Sequence, residues 1–416
     1  MRGLVYRIAI AFLYSIICTG FIRGQNQPPI LFNTNFEGGA LGKIETISST
    51  HFICNVPGQY NHQGRNRQAS WYYFRMENVK GRDITLELAD LIGEYNYRPG
   101  SHSITKETRP VYSYEGQTWR HFESMGWNEE LVRGILRFRP EEDHIWIAHV
   151  QPYTTADLSR LLEDIKASPH QRTEVIGKTV QDRDIHLVTI TNFDQPDENK
   201  RAVWLLARQH AWETGTSFAA EGAIRYLLSE DREARHIRDR VIFKIVPMAD
   251  PDGVALGGVR FNINGYDLNR HWEEVDLRHP GYLERMPEIW YLKKAIITYA
   301  RAQKPIDLLV YLHNTENQSF IHDAPAGNTG MKRRVDRFFN LLVKETKFDA
   351  AFKPEKRPAE NSTTSMALYR EAGILALLME LKVEYDQTLK RYPTAADRTT
   401  FGAGLARCMA KAILEE

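Results

Sequence analysis

Apolar positions follow two different rhythms along this chain. From Ile30 to about Val150 they fall in short runs separated by Gly, Pro and Asn: Phe32 to Phe36 before Glu37-Gly38-Gly39, Ser70 to Met76, Ile84 to Leu88, Ile135 to Phe138, and His144 to Ala148. Ile84-Thr85-Leu86-Glu87-Leu88 alternates apolar and polar residues with period two, as a half-buried strand does. Several such strands with turn signals between them, and no 3.6-residue period, predict an all-β sandwich. Its many aromatic residues fit a packed core, and a sugar platform is the alternative use of the same side chains.

At Pro152-Tyr153-Thr154-Thr155 the rhythm changes. Thr154 or Thr155 is placed to cap an amphipathic helix from Asp157 to Lys166. Beyond it, apolar runs that read as strands (Ile185 to Ile190, Val203 to Ala207, Val241 to Val246, Asp307 to Leu312, Leu375 to Leu381) alternate with helical stretches. Those stretches are Ser217 to Leu228, Glu288 to Ala302, Met331 to Thr346 and Gly404 to Leu414. That alternation predicts an α/β unit with a mixed sheet covered on both faces. The expected division is therefore a β-sandwich over 28–152 and a catalytic domain over 153–416, consistent with 416 residues exceeding one ordinary core.

Composition alters this picture little. Hydrophobic residues make up 42% and the formal net charge is +1, so neither extensive disorder nor a nucleic-acid partner is expected. The first residues differ: Arg2 and Arg7 precede an apolar run from Ile8 to Ile22, then polar Arg23-Gly24-Gln25-Asn26. Such a segment over 1–24 has the pattern of a signal peptide and is short for a membrane span, so the expectation is export to the periplasm or the extracellular space. An uncleaved anchor is the alternative. Cys54 and Cys408, all that remain beyond it, form no disulfide framework. No obligate protein partner is inferred.

Candidate chemistry begins directly after the run Val203 to Ala207, in Arg208-Gln209-His210-Ala211-Trp212-Glu213-Thr214. Open α/β sheets place their sites at the carboxyl ends of strands. If the turn there enters a helix, His210 and Glu213 project to one side and can share one ion. An imidazole and a carboxylate are two of the three protein ligands of a catalytic zinc. His313, directly after the run Asp307 to Leu312, can supply the third. Between them, a loop rich in Gly, Asp and Pro presents Arg260 and Arg270, whose guanidinium forks suit a carboxylate or a developing oxyanion. Arg270 could equally pair with a surface acid, and Asp267 could merely cap. Glu380, a carboxylate in an apolar run, requires a polar partner if buried, and Glu384 is its fallback.

Taken together, Ala207-Arg208-Gln209-His210-Ala211-Trp212-Glu213-Thr214, Asp250-Pro251-Asp252-Gly253-Val254, Asp267-Leu268-Asn269-Arg270-His271-Trp272 and Leu312-His313 resemble the zinc metallocarboxypeptidases. Asn35-Phe36-Glu37-Gly38-Gly39, Trp71 to Arg75 and Pro152-Tyr153-Thr154 extend the likeness to the amino-terminal sandwich of the cytosolic-carboxypeptidase branch. The resemblance implies one Zn2+ held by His210, Glu213 and His313, with Arg260 steadying the oxyanion. It further implies Asn269 and Arg270 as the clamp on the substrate's terminal carboxylate and Glu380 as the proton acceptor. The expected reaction is metal-assisted removal of the carboxy-terminal residue of a peptide or protein. Two departures stand out: the spacing from Gly373 to Glu380 is one residue shorter than usual, and Ser365 occupies a pocket position that is basic in that branch. An amidase or deacylase on the same scaffold would need no carboxylate clamp, and an inactive glycan- or peptide-binding protein would be expected to lack a ligand or the base.

Overall fold

A computed structural model describes residues 27–95, 97–302, 305–323, 329–356 and 363–414; residues 1–24 therefore lie outside the described residues. The amino-terminal unit consists of two five-stranded sheets facing each other. One has the order Leu31–Asn33, Tyr73–Glu77, His144–Ala148, Val111–Ser113, Arg120–His121; the other runs Gly126–Asn128, Arg133–Phe138, Ile84–Ala89, His51–Asn55, Ile44–Ser48. Period-two alternation sends Phe52, Cys54, Leu86, Leu88 and Leu136 inward, against Phe74, Met76, Ile145 and Ile147 of the other sheet. His51–Asn55 and Ile44–Ser48 were not among the predicted strands, because Ile44–Ser48 is a mostly exposed edge with no apolar face to read.

The second unit is built on an eight-stranded mixed sheet in the order Gln171–Lys178, Asp184–Ile190, Val241–Val246, Arg201–Leu206, Leu308–Thr315, Ala376–Lys382, Phe320–Asp323, Glu355–Lys356. The central four run parallel, and the antiparallel pairings lie outside them. Both faces are covered, so alternate residues of one strand enter two different cores. Val203 and Leu205 pack with helices Thr155–Ile165, Thr214–Leu227, Thr329–Glu345 and Ala395–Leu414, whereas Trp204 and Leu206 pack with Pro287–Ala302. This explains the continuous apolar runs in the sequence.

Thr154 caps the helix Thr155–Ile165 in a reciprocal capping box with Asp157. The closing helix starts at Ala395 rather than Gly404; its first turns are polar, and a second box, Thr394 with Asp397, marks the true start. Helices Arg232–Arg240 and Thr364–Ala372 were also missed, being short and poor in periodic apolar residues. Cys54 and Cys408 are free thiols buried in different cores, so no bridge joins them.

Candidate active site

The site grows from the carboxyl ends of three adjacent parallel strands. Arg201–Leu206 lies between Val241–Val246 and Leu308–Thr315, and Leu308–Thr315 also pairs with Ala376–Lys382. Leaving the first strand, the chain reverses at Arg208, which has φ +61 although it is not glycine. The turn is fixed by its own side chain: Arg208 Nε donates to Ala211 O at 2.7 Å and its backbone N–H to Thr216 Oγ1 at 3.0 Å. His210 thus sits in the turn, and Glu213 immediately precedes the helix Thr214–Leu227. They meet across a turn, not along a helix face as expected. His313 is likewise within its strand, which continues to Thr315, rather than after it.

All three side chains are buried, and one donor atom from each of His210, Glu213 and His313 lies within 4.8 Å of the others. His210 Nδ1 is 2.7 Å from Glu213 Oε1, His313 Nδ1 is 2.9 Å from Glu213 Oε2, and the two Nδ1 atoms are 3.2 Å apart. The far ring nitrogens identify the tautomers. Gln209 Nε2 donates to Leu268 O at 2.8 Å, so its Oε1 is the atom facing His313 Nε2 at 3.1 Å; Asp267 Oδ1 faces His210 Nε2 at 3.0 Å. Both Nε2 atoms therefore carry hydrogen, which leaves the two Nδ1 atoms, turned toward the Glu213 carboxylate, as the nitrogens free to ligate once they are deprotonated. Three acceptors directed at one point repel each other unless a cation lies between them, so the donor set fits a divalent ion with a taste for nitrogen and oxygen.

The surrounding charges reflect this crowding. Burial pushes the Glu213 carboxyl up, yet the His210 and His313 imidazoles, when protonated, outweigh it and hold the group below the usual carboxylate range. Burial drives His313 down, whereas for His210 the charges of Glu213 and Asp267 prevail over burial and raise it. Asp267, first raised by burial, is held well below the usual range by Arg260 and His210. It is no mere cap: Oδ2 accepts from Arg260 Nε at 2.7 Å, and Oδ1 also accepts the backbone N–H of Asn269 at 2.9 Å.

The remaining candidates gather around this group. Glu380 pairs in register with His313 on the neighbouring strand; burial and the charge of Glu213 raise its carboxyl well above the ordinary range, while Arg260 and Arg270 pull it down. Its Oε2 is buried without a hydrogen bond. Glu384, the fallback, instead accepts from Thr105 Oγ1 of the sandwich at 2.9 Å. Asn269 Oδ1 accepts from Thr364 Oγ1 at 3.0 Å, which leaves the amide nitrogen as the end able to donate to a ligand. Arg270 NH1 donates to Asn269 O at 2.9 Å. Ser365 accepts from Tyr311 OH at 3.0 Å beside them. Sequence reasoning missed Gln209 and Thr364 and underrated Asp267. Their signal is adjacency, since Gln209 precedes a ligand candidate and Asp267 lies two residues before Asn269.

Comparison with known proteins gives this geometry its family. Residues 158–373, just over half of the chain, match the zinc carboxypeptidase family, and residues 32–149 match the cytosolic carboxypeptidase N-terminal domain. Cytosolic carboxypeptidase 3 of Mus musculus is 27% identical over 346 residues, covering 76% of this chain and 32% of that protein. Cytosolic carboxypeptidase 6 of Mus musculus is 30% identical over 278 residues, 62% of this chain and 49% of its own. The chain thus spans about a third to a half of the length of these curated relatives. In fold it resembles a metallo-carboxypeptidase from Burkholderia cenocepacia, with a TM-score of 0.80, 22% identity and coverage of 93% and 99% of the two chains.

These relatives overturn one expectation. Export to the periplasm or outside the cell rested on residues 1–24 alone, whereas both the amino-terminal domain family and the matching relatives are cytosolic carboxypeptidases by name. A short apolar run carries composition only, and similarity over 346 residues outweighs it. Glu380 lies seven residues beyond the matched catalytic segment, so its place in the site rests on strand register. With a His-Glu-His cluster at the carboxyl ends of the central strands, a sandwich ahead of it and a match over most of both units, the chain belongs to the zinc carboxypeptidase family.

Proposed function

We propose that this protein is a zinc-dependent carboxypeptidase that removes the carboxy-terminal residue of peptides or proteins, acting in the cytosol as the names of its relatives indicate. The observation that carries the reading is the convergence of two imidazole lone pairs and a buried carboxylate on one point, with a further carboxyl and two guanidinium groups beside it. His210, Glu213 and His313 would hold one zinc ion, which when bound supplies Lewis acidity toward water and toward a carbonyl oxygen. Among the described residues no helix is long and apolar enough to cross a membrane.

The chain's own residues then divide the work. Glu380 takes a proton from the attacking water at a carboxylate oxygen and delivers it to the departing amine nitrogen as the C–O bond forms and the C–N bond breaks. Its raised affinity for a proton suits the first half of that transfer, the uptake from water. Arg260, aimed by Asp267, faces the oxygen that becomes negative, where a fixed cation stabilises the tetrahedral state. Arg270 and the amide nitrogen of Asn269 hold the terminal carboxylate and so restrict cleavage to the chain end.

The test is a digest of a mixed peptide library by the zinc-loaded protein, read by mass spectrometry, with a chelator control and the variant Arg270→Gln. Single-residue loss from carboxyl ends, abolished by chelation, is expected. Arg270→Gln should lower kcat/KM on free-carboxylate peptides by about 100-fold or more, for loss of a charge-assisted pair. Undiminished activity of this variant, above all on amidated peptides, would show a deacylase or amidase instead.

A further inference from the structure

One side chain of the sandwich is bonded directly to the backbone that carries Arg260. Gln59 Oε1 accepts three consecutive backbone N–H groups, from Val259 at 2.9 Å, Arg260 at 2.6 Å and Phe261 at 2.9 Å. Its Nε2 donates to Phe261 O at 2.7 Å. Three successive amides turned toward one oxygen form a concave nest, a conformation that an isolated loop holds poorly because its N–H dipoles align. Something must occupy the nest, and here a neutral carboxamide does.

Gln59 is itself held rigidly. Its backbone exchanges two hydrogen bonds with Gln68, each 2.8 Å. Three residues on, His62 N–H donates to Gly265 O at 2.9 Å, and the His62 ring stacks on Tyr266 at 4.3 Å. Gly265 has φ +82, and a Cβ there would stand 2.4 Å from His62 N, so the approach requires glycine. The segment from Gln59 to His62 therefore grips both ends of the loop 259–266, and from the end held by Gln59 the Arg260 side chain reaches Asp267.

We infer that Gln59 is a positioning residue for the proposed reaction, so that the sandwich sets the place of Arg260 and completes the oxyanion site of the neighbouring unit. The inference rests on the carboxypeptidase reading for its consequence, whereas the geometry stands apart from it. Gln59 touches no reacting atom. Its loss should leave the zinc ligands and the Asn269–Arg270 clamp in place and displace only the guanidinium that meets the tetrahedral state.

The experiment compares full-length, zinc-loaded wild type with Gln59→Met, which keeps the shape and removes the hydrogen bonds, and Gln59→Glu, which keeps an acceptor for the three amides. The substrate is the peptide that wild type cleaves fastest in the library. Gln59→Met should lower kcat about 10- to 100-fold with KM within about twofold and zinc content unchanged, the loss a displacement near 1 Å produces. Gln59→Glu should recover much of that kcat. Amide hydrogen exchange at residues 259–261, read in the same samples and independent of activity, should speed up at least tenfold in Gln59→Met and stay slow in Gln59→Glu. Wild-type kcat in Gln59→Met, unchanged exchange, or a fall in kcat that tracks lost zinc would each overturn the inference. An inactive wild type with the expected exchange pattern would sink the carboxypeptidase reading and, with it, the catalytic consequence drawn here.

Discussion

Asp267 joins the His210–Glu213–His313 cluster to Arg260 at the scale of single residues. One oxygen orients the His210 ring at 3.0 Å and the other holds Arg260 Nε at 2.7 Å, so one carboxylate fixes both a tautomer and a cation. Asp267→Asn keeps the size and removes the charge. The expected outcome is zinc affinity lower by about 10- to 100-fold, measured by chelator competition, together with a fall in kcat at saturating zinc. Unaltered zinc affinity would mean that His210 is oriented by Glu213 and the turn alone. The three candidate ligands could be picked out in the sequence because imidazole and carboxylate are unusual at the ends of apolar strands, and their side chains do come together. Asp267 was not, since a loop aspartate has the same appearance whether it caps a turn or orients a histidine. Only its partners, among them His210 57 residues away along the chain, separate the two.

Elements set where those residues stand, and here local pattern and tertiary packing part company. The central strands were legible to within three residues at each end because burial on both faces makes them uninterrupted apolar runs. Gln171–Lys178 was invisible because it is an edge strand with most side chains in water. The helix Thr214–Leu227, which begins just after Glu213, is fixed by contact with Ala395–Leu414 at two glycines. A Cβ on Gly222 would meet Thr399 O at 1.9 Å, and one on Gly402 would meet Ala219 O at 1.8 Å. Each clash is with backbone, which cannot rotate away. Gly222→Ala is therefore expected to destabilise the protein by about 3 kcal/mol or more, despite alanine's better helix propensity, read as a lower denaturation midpoint. A midpoint at or above wild type would show that the helices separate without loss. The closing helix is predicted only from Gly404, so this crossing could not be seen from pattern: Gly222 reads as a weak point in a helix and Gly402 as part of the loop before one until the partner helix is in place.

Across the whole molecule, the order of a sandwich followed by an α/β unit was readable from the change in hydrophobic rhythm at residue 153, but the way the two fit together was not. The contacts come from segments that read as polar turns. Gly38 N–H donates to Ala255 O at 3.0 Å, Thr155 N–H to Glu37 Oε1 at 2.7 Å, and Thr105 Oγ1 to Glu384 Oε1 at 2.9 Å. Between them lies a shared apolar cluster in which Trp71, Tyr73, Val111 and Ala148 of the sandwich pack on Trp212 and Val259. Trp212 is 5% exposed and follows the ligand candidate His210 by two residues. Its ring also stacks on His149 at 5.4 Å. Removing the sandwich would therefore bare a tryptophan inside the turn that carries His210 and release the loop of Arg260 together. Exposing one such side chain costs about 2–3 kcal/mol, and the backbone N–H groups of Thr155, Val259, Arg260 and Phe261 lose their acceptors. The fragment 153–416 is accordingly expected to bind a hydrophobic dye, to self-associate in size-exclusion chromatography and to retain less zinc than the full chain. In the full chain, tryptophan fluorescence and far-ultraviolet dichroism should follow one unfolding transition, because two units that share a core and a loop lose structure together. A monomeric, dye-free fragment with full zinc content and an undisturbed melting curve would show that the sandwich is an attachment to an independent enzyme.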